Sequence, residues 1–246
     1  MSLTETIHWC LLPFPQPAIA RDSLSLAEKT AYEHFRFDAR RESWLAGRYT
    51  AKTLLSKVLN GRKPLYENFE LEQIEIRNDP LGAPKAYHAD KPITGCLSIS
   101  HSGDYSAVAY APSNLQVGID IEEITPRSAG FIQDYFTEHE VEMITSVNGE
   151  KPVEHNQTET ATLIWSAKEA LLKAMGIGLR LDTRHVEVIS IEDGDHTDAL
   201  GWKQLGLSSS HLTLRVDAYW RRFDGYLLTL AVLMDGDDKI ALVEAD

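Results

Sequence analysis

Cysteine is nearly absent. Only Cys10 and Cys96 occur in 246 residues, with no pair at metal-ligand spacing, so neither a disulfide framework nor a thiolate zinc centre is expected and a reducing, cytoplasmic setting is. Long apolar runs are missing as well. No stretch approaches the roughly 20 apolar residues needed to span a bilayer, and the N-terminus lacks a basic segment followed by such a run, so neither membrane insertion nor secretion is expected. Basic side chains are outnumbered, 24 against 37 acidic, for a net charge of -13. That balance argues against non-specific binding to nucleic acid or an anionic membrane, although local arginines and a bound cation can still admit a phosphate-bearing ligand. What is present, 43% hydrophobic residues over this length, suffices for a sizeable core.

The chain reads as helices alternating with antiparallel strands, twice over. Ile7 to Leu12 is a short strand ended by Pro13, Pro15 and Pro17. Helical spacing follows over Leu24 to Phe35 and Asp38 to Leu59, the latter carrying Arg40, Arg41, Arg48, Lys52 and Lys57. That basic face is read either as a solvated surface or as an anion site. Leu71 to Arg77 alternates like a strand, and Gly95 to Tyr110 reads as two strands joined through Ser102-Gly103-Asp104, with His101 at the end of the first. Taken alone, His101 is as readily a structural histidine as a ligand. Beyond Val117 come short helices at Phe131 to Phe136 and Glu138 to Ile144, with Thr137 and Glu140 spaced as a capping box. A polar link over Thr145 to Gln157, a long helix from Thr158 to Met175 closing at Gly176, and strands at Val186 to Ile191, Leu212 to Ala218 and Tyr226 to Val232 complete the chain. An α+β fold of two similar lobes, 1–116 and 117–246, is expected.

Two stretches carry the chemistry. Val117 to Glu122 reads VGIDIE, so a strand turns Val117, Ile119 and Ile121 to one side and Asp120 and Glu122 to the other. Trp165 to Ala174 reads WSAKEALLKA, where a helix sets Glu169 and Lys173 on one face. Asp120, Glu122 and Glu169 are oxygen ligands suited to a hard divalent cation such as magnesium, with Lys173 placed to meet a phosphate oxygen. The plainer alternative is an intrahelical Glu–Lys pair beside two carboxylates on a wet strand edge.

Together, in this order, VGIDIE and WSAKEALLKAMGIGL resemble the 4'-phosphopantetheinyl transferase superfamily. ISHSGDYS at Ile99 to Ser106 and the helical stretch Phe37 to Leu55 are similar to the other landmarks of its larger, two-lobed, surfactin-synthetase-activating class. The resemblance implies two lobes related by a pseudo-twofold, joined in one chain as a monomer. It implies a magnesium-dependent enzyme moving the 4'-phosphopantetheine arm of coenzyme A to a serine of an apo acyl or peptidyl carrier protein, with release of adenosine 3',5'-bisphosphate. By the same resemblance Asp120, Glu122 and Glu169 are metal ligands, and Asp120, Lys168 and Lys173 also contact the coenzyme. Arg41, Arg48, Ser100 and His101 complete the coenzyme-binding set. Glu169 is the expected base for the serine hydroxyl, with Glu122 the second choice. One departure is Ala83 in Gly82-Ala83-Pro84, where the family carries a basic residue; Lys85 is the candidate to replace it. A magnesium-dependent phosphohydrolase and a non-catalytic carrier-binding protein are the alternatives of different class.

Overall fold

The computed structural model describes residues 4–61, 69–113, 115–145, 157–192 and 200–245. Most of the polar link expected over Thr145 to Gln157 lies outside the described residues. Strand β1 (Thr4–Pro13) ends at the expected proline. Pro17, expected only to help end the strand, opens a helix, α1 (Pro17–Asp22). Proline suits a first helical position because its missing donor has no intrahelical partner there in any case. Helix α2 (Leu26–Glu33) starts on a capping box between Ser25 and Glu28, and α3 (Asp38–Asn60) is the long basic helix. A 3-10 turn at Leu71–Gln73 leads into β2 (Ile74–Asn78), followed by β3 (Pro84–His88), β4 (Lys91–Pro92), β5 (Cys96–Ser102) and β6 (Tyr105–Ala111). Then come β7 (Gln116–Glu123), α4 (Ala129–Tyr135), α5 (Glu138–Thr145) and α6 (Gln157–Ala174). Strands β8 (Val186–Ile191), β9 (Lys203–Ser209), β10 (Arg215–Phe223), β11 (Tyr226–Met234) and β12 (Lys239–Glu244) close the chain.

The chain divides into two compact α+β units, Met1–Leu115 with Asp237–Asp246, and Gln116–Gly236. In the first, a sheet of order β12-β1-β6-β5 accompanies a smaller one of order β2-β3-β4. Helix α3 covers it, burying Ala51, Leu54, Leu55 and Val58 in one cluster with Ile74, Leu97 and Val108. In the second, the sheet order is β7-β11-β10-β9-β8, and Leu163, Ala167, Ala170 and Leu171 of α6 pack with Val186, Val188, Trp220 and Leu227. The expected division after residue 116 assigned the last ten residues to the second lobe. They belong to the first, because β12 pairs in parallel with β1, Ile7 opposite Leu242, and Ala245 donates its backbone N–H to the Trp9 carbonyl.

Candidate functional site

The acidic strand and the lysine helix meet in the second unit through a glycine. A Cβ added to Gly118 would lie 1.9 Å from the Ala170 carbonyl oxygen and 2.6 Å from the Ala174 nitrogen. Only glycine therefore lets the backbone of α6 approach β7 this closely. Asp120 and Glu122, two and four residues along the strand, are thereby brought beside Glu169 and Lys173. The alternation of β7 is as expected, but its acidic side is only partly wet: Glu122 is half-buried, and Asp120 is 2% exposed, as shielded as Ile119 and Ile121.

Lys173 Nζ donates to Asp120 Oδ1 at 2.6 Å and to the Ile119 carbonyl at 3.4 Å, and lies 3.7 Å from Glu169 Oε2. The helical Glu–Lys pair is thus the weaker of its two carboxylate contacts; the contact across to the strand dominates. Burial pushes the Lys173 ammonium down, but the three carboxylates around it outweigh that and leave it raised above the usual lysine range. Glu169 moves from 4.5 to about 7, through burial first and then the negative charges of Asp120 and Glu122, with Lys173 opposing. Glu122 is raised by burial and by Asp120, and held back by Arg127 and Trp165.

Glu122 has both oxygens engaged. Trp165 Nε1 donates to Oε1 at 3.2 Å and Arg127 Nη2 to Oε2 at 2.8 Å. The Arg127 guanidinium lies over the Phe131 ring at 5.3 Å, and Phe131 packs edge-on against Trp165 at 4.8 Å. Glu122, Arg127, Phe131 and Trp165 therefore form a closed ring tying β7 to α4 and α6. Trp165 sits one turn before Glu169 on the same face of α6, so its bond to Glu122 also sets the rotation of the helix that presents Glu169. The WxxKE spacing marked the tryptophan, whereas nothing in the sequence singled out Arg127.

Lys168 departs from expectation. Expected among the coenzyme contacts, it is 0% exposed, with Nζ 2.5 Å from Glu140 Oε2, itself 0% exposed, and it donates to the carbonyls of Tyr135 and Thr183. Neighbours on a helix point about 100° apart, so with Glu169 facing the acidic strand Lys168 is turned into the interior. Glu140 also receives the Thr137 and Val188 backbone N–H groups, so both carboxylate oxygens are engaged. The same device recurs in the first unit. Lys52 pairs with Glu28 and donates to the Ser23 carbonyl, while Glu28 closes the Ser25 capping box and accepts from the Ile76 N–H. Ser23, Ser25, Glu28 and Ile76 do there what Tyr135, Thr137, Glu140 and Val188 do in the second unit. Aligned on these two lysines, YTAKTLLSK from Tyr49 matches WSAKEALLK from Trp165, so Thr53 stands where the second unit has Glu169. At that position the first unit has no carboxylate, although Lys57 aligns with Lys173.

The remaining candidates lie in the first unit on three elements. Arg48 on α3 stacks over Trp44 at 4.3 Å, donates to Asn78 Oδ1 at 3.1 Å, and is lowered to about 10 by burial, with Glu28 opposing. Arg41, two turns earlier, pairs with Asp38 at 2.5 Å and lies over Tyr32 at 5.3 Å. Their Nε atoms are buried without an acceptor among the described residues. Lys85 is exposed on β3, opposite Arg77. On β5, Ser100 is buried with its carbonyl accepting from Ser106 Oγ at 3.3 Å, and His101 is exposed at the strand end. Asn78 and Trp44, which anchor Arg48, were not foreseen.

Among the described residues, no three His, Cys, Asp or Glu side chains converge as a ready metal cage. The donor chemistry nevertheless fits a hard divalent cation. Asp120, Glu122 and Glu169 supply only oxygen, and the rise of Glu169 to about 7, through burial first and then the charges of Asp120 and Glu122, includes a repulsion that such a cation relieves.

A paired-carboxylate and lysine site on an α+β unit is thus the class of centre this chain carries. Residues 116–231 match the family model of the 4'-phosphopantetheinyl transferase superfamily. The chain is 32% identical over 183 residues to a 4'-phosphopantetheinyl transferase of Bacillus pumilus, covering 71% of this chain and 67% of the relative. It is 30% identical over 198 residues to the L-aminoadipate-semialdehyde dehydrogenase-phosphopantetheinyl transferase of Rattus norvegicus, covering 74% and 60% respectively. The chain belongs to the 4'-phosphopantetheinyl transferase superfamily. It spans 60% of the rat relative's length and 53% of its Mus musculus counterpart's. The solved holo-[acyl-carrier-protein] synthase of Thermotoga maritima shares 20% identity at a TM-score of 0.37, over 50% of this chain and 63% of that one.

Proposed function

We propose that this protein transfers the 4'-phosphopantetheine arm of coenzyme A to a serine hydroxyl of an apo acyl or peptidyl carrier protein, releasing adenosine 3',5'-bisphosphate, in a magnesium-dependent reaction. The observation that carries the proposal is the group Asp120, Glu122, Glu169 and Lys173, in which one carboxyl is poised near 7 beside a retained ammonium. Glu169 takes the proton of the carrier serine as the serine oxygen bonds to the pantetheine-side phosphorus. Glu122, held by two donors, is the poorer base and the better fixed ligand. The diphosphate P–O bond then breaks, and Lys173 stabilises the charge gathering on the leaving phosphate.

Asp120, Glu122 and Glu169 would hold the metal, which when bound neutralises diphosphate charge and polarises the reacting phosphorus. Arg48, Arg41, Lys85, Ser100 and His101 make up the coenzyme-binding set, for which charge-assisted hydrogen bonds to phosphate are the natural use of the basic members. Lys168 is left out of that set, because an ammonium fully buried against Glu140 cannot reach a ligand. A cytoplasmic monomer acting on carrier proteins, and not on nucleic acid or membrane, completes the proposal; the two cysteines, neither of them in a disulfide, suit a reducing compartment. Among the described residues no helix is long and apolar enough to cross a membrane.

The test is the intact mass of a purified apo carrier protein after incubation with this protein, coenzyme A and magnesium. Addition of one phosphopantetheine, abolished by chelator and by Glu169→Ala, is expected. Hydrolysis of coenzyme A without addition to any carrier would instead identify a phosphohydrolase.

A further inference from the structure

Two of the three carboxylates in the site are already bonded to cations of the chain: Asp120 to Lys173 and Glu122 to Arg127. Lys173 has a role in the proposed reaction. Arg127 has none, yet it occupies the equivalent position on the other carboxylate. Its side chain is 19% exposed and Glu122 is 22% exposed, so the pair sits at the rim and not in the core.

The contact is single-armed. Arg127 gives Glu122 one hydrogen bond through Nη2, although a guanidinium can grip a carboxylate with two parallel bonds. Its Nε is buried and shut off from solvent, without an acceptor among the described residues, and the Phe131 ring beneath steadies the guanidinium, so what the partly exposed side chain can offer a ligand is its Nη edge. Cation–π stacking of this kind leaves the edge donors unused. An arginine fixed by its face, bonded through one arm and beside a metal-type carboxylate is arranged to meet a second anion.

We propose that Arg127 is a further substrate-binding residue, shared between Glu122 and a diphosphate ester. It competes with a divalent cation for Glu122 and turns its Nη edge, not its buried Nε, to the phosphate oxygens of the diphosphate. The inference rests on the transferase reading of this site and adds a cation to it. It also predicts a pair of opposite signs that a merely structural arginine does not produce. Removing the charge removes a repulsion and a competitor, so the metal alone binds more tightly, while the phosphate loses a charge-assisted hydrogen bond and binds more weakly.

The experiment is calorimetric titration of the full chain, first with magnesium chloride alone and then with coenzyme A at saturating magnesium, for the unmodified protein, Arg127→Gln and Arg127→Lys. Folding of each variant is checked by circular dichroism. For Arg127→Gln the expected result is a magnesium affinity raised about threefold or more by the lost repulsion and a coenzyme A affinity lowered about tenfold, the effect of one hydrogen bond to a charged group. Arg127→Lys, which keeps the charge, is expected to stay within about twofold of the unmodified protein for the metal. Weaker magnesium binding in a folded Arg127→Gln, or coenzyme A affinity unchanged by it, overturns the inference. If the unmodified protein binds neither magnesium nor coenzyme A, the transferase reading itself falls, and the inference with it.

Discussion

Lys168 Nζ lies 2.5 Å from Glu140 Oε2 with both side chains fully shielded from solvent, one residue before Glu169 on the same helix. Because all three protons of Lys168 are directed at the chain's own groups and both oxygens of Glu140 are engaged, Lys168 acts on the fold and only through it on the reaction. Breaking a buried pair leaves an uncompensated charge, at a cost of about 3–5 kcal/mol, whereas replacing both partners by neutral groups of similar shape is often tolerated. Lys168→Met is therefore expected to lower the urea midpoint sharply, and Lys168→Met with Glu140→Gln to recover most of it. Coenzyme A affinity in the folded double variant should match the unmodified protein. A large loss of affinity there would return Lys168 to the ligand-binding set.

Gly118 sets how near the lysine helix comes to the acidic strand. Alanine at this position would place its methyl 1.9 Å from the Ala170 carbonyl oxygen, a backbone atom that cannot rotate away. Overpacking of this sort costs about 1–3 kcal/mol, occasionally more. Gly118→Ala is expected to lower the thermal midpoint and to weaken magnesium binding, because any relief of the clash moves Glu169 away from Asp120. Calorimetry and magnesium titration on the same sample check both.

The strand nature of VGIDIE was legible because period-2 alternation is a local property, and the helix of WSAKEALLKA for the corresponding reason at period 3.6. What faces each side was not. Asp120 is buried because α6 approaches through Gly118, and Lys168 is buried because Glu140, reached across 28 positions of chain, accepts it; both are tertiary facts. The Thr137–Glu140 capping box could be read as a box, but not that its glutamate would be interior and in need of a cation. Strand β12 shows the limit most plainly. Its parallel partner β1 lies at the opposite end of the chain, and no local pattern reports so distant a pairing.

Arg48 is the best anchored of the first-unit candidates. The guanidinium is stacked on Trp44 and bonded to Asn78, so its remaining donors are offered in a fixed plane. If it holds a coenzyme phosphate, Arg48→Ala should weaken coenzyme A binding by roughly 10- to 100-fold, the range for a hydrogen bond to a charged group. Arg48→Lys should recover only part of it, since an ammonium lacks the planar face that rests on the indole. Equilibrium binding of coenzyme A in the presence of magnesium measures both variants.

Glu169 links the reaction to stability through its proton. In the folded protein its carboxyl titrates at about 7 against an ordinary 4.5, so between those values the folded state holds a proton that the unfolded chain has lost. The crowding cost is fully present above about pH 7, where the folded carboxylate is ionised, and it is relieved as pH falls toward 4.5. Glu169→Gln removes the charge at all pH values. With chelator present, the variant is expected to be more stable than the unmodified protein at pH 8, by at most about 3 kcal/mol from the size of the shift, and to lose that advantage by pH 4.5. Urea unfolding across this range reads the difference directly. A variant less stable at pH 8 than at pH 5, relative to the unmodified protein, would mean that Lys173 depends on Glu169 more than the two strand carboxylates repel it. Magnesium should reverse the order by favouring the ionised carboxylate, so adding it at pH 8 is expected to stabilise the unmodified protein and leave Glu169→Gln nearly unmoved.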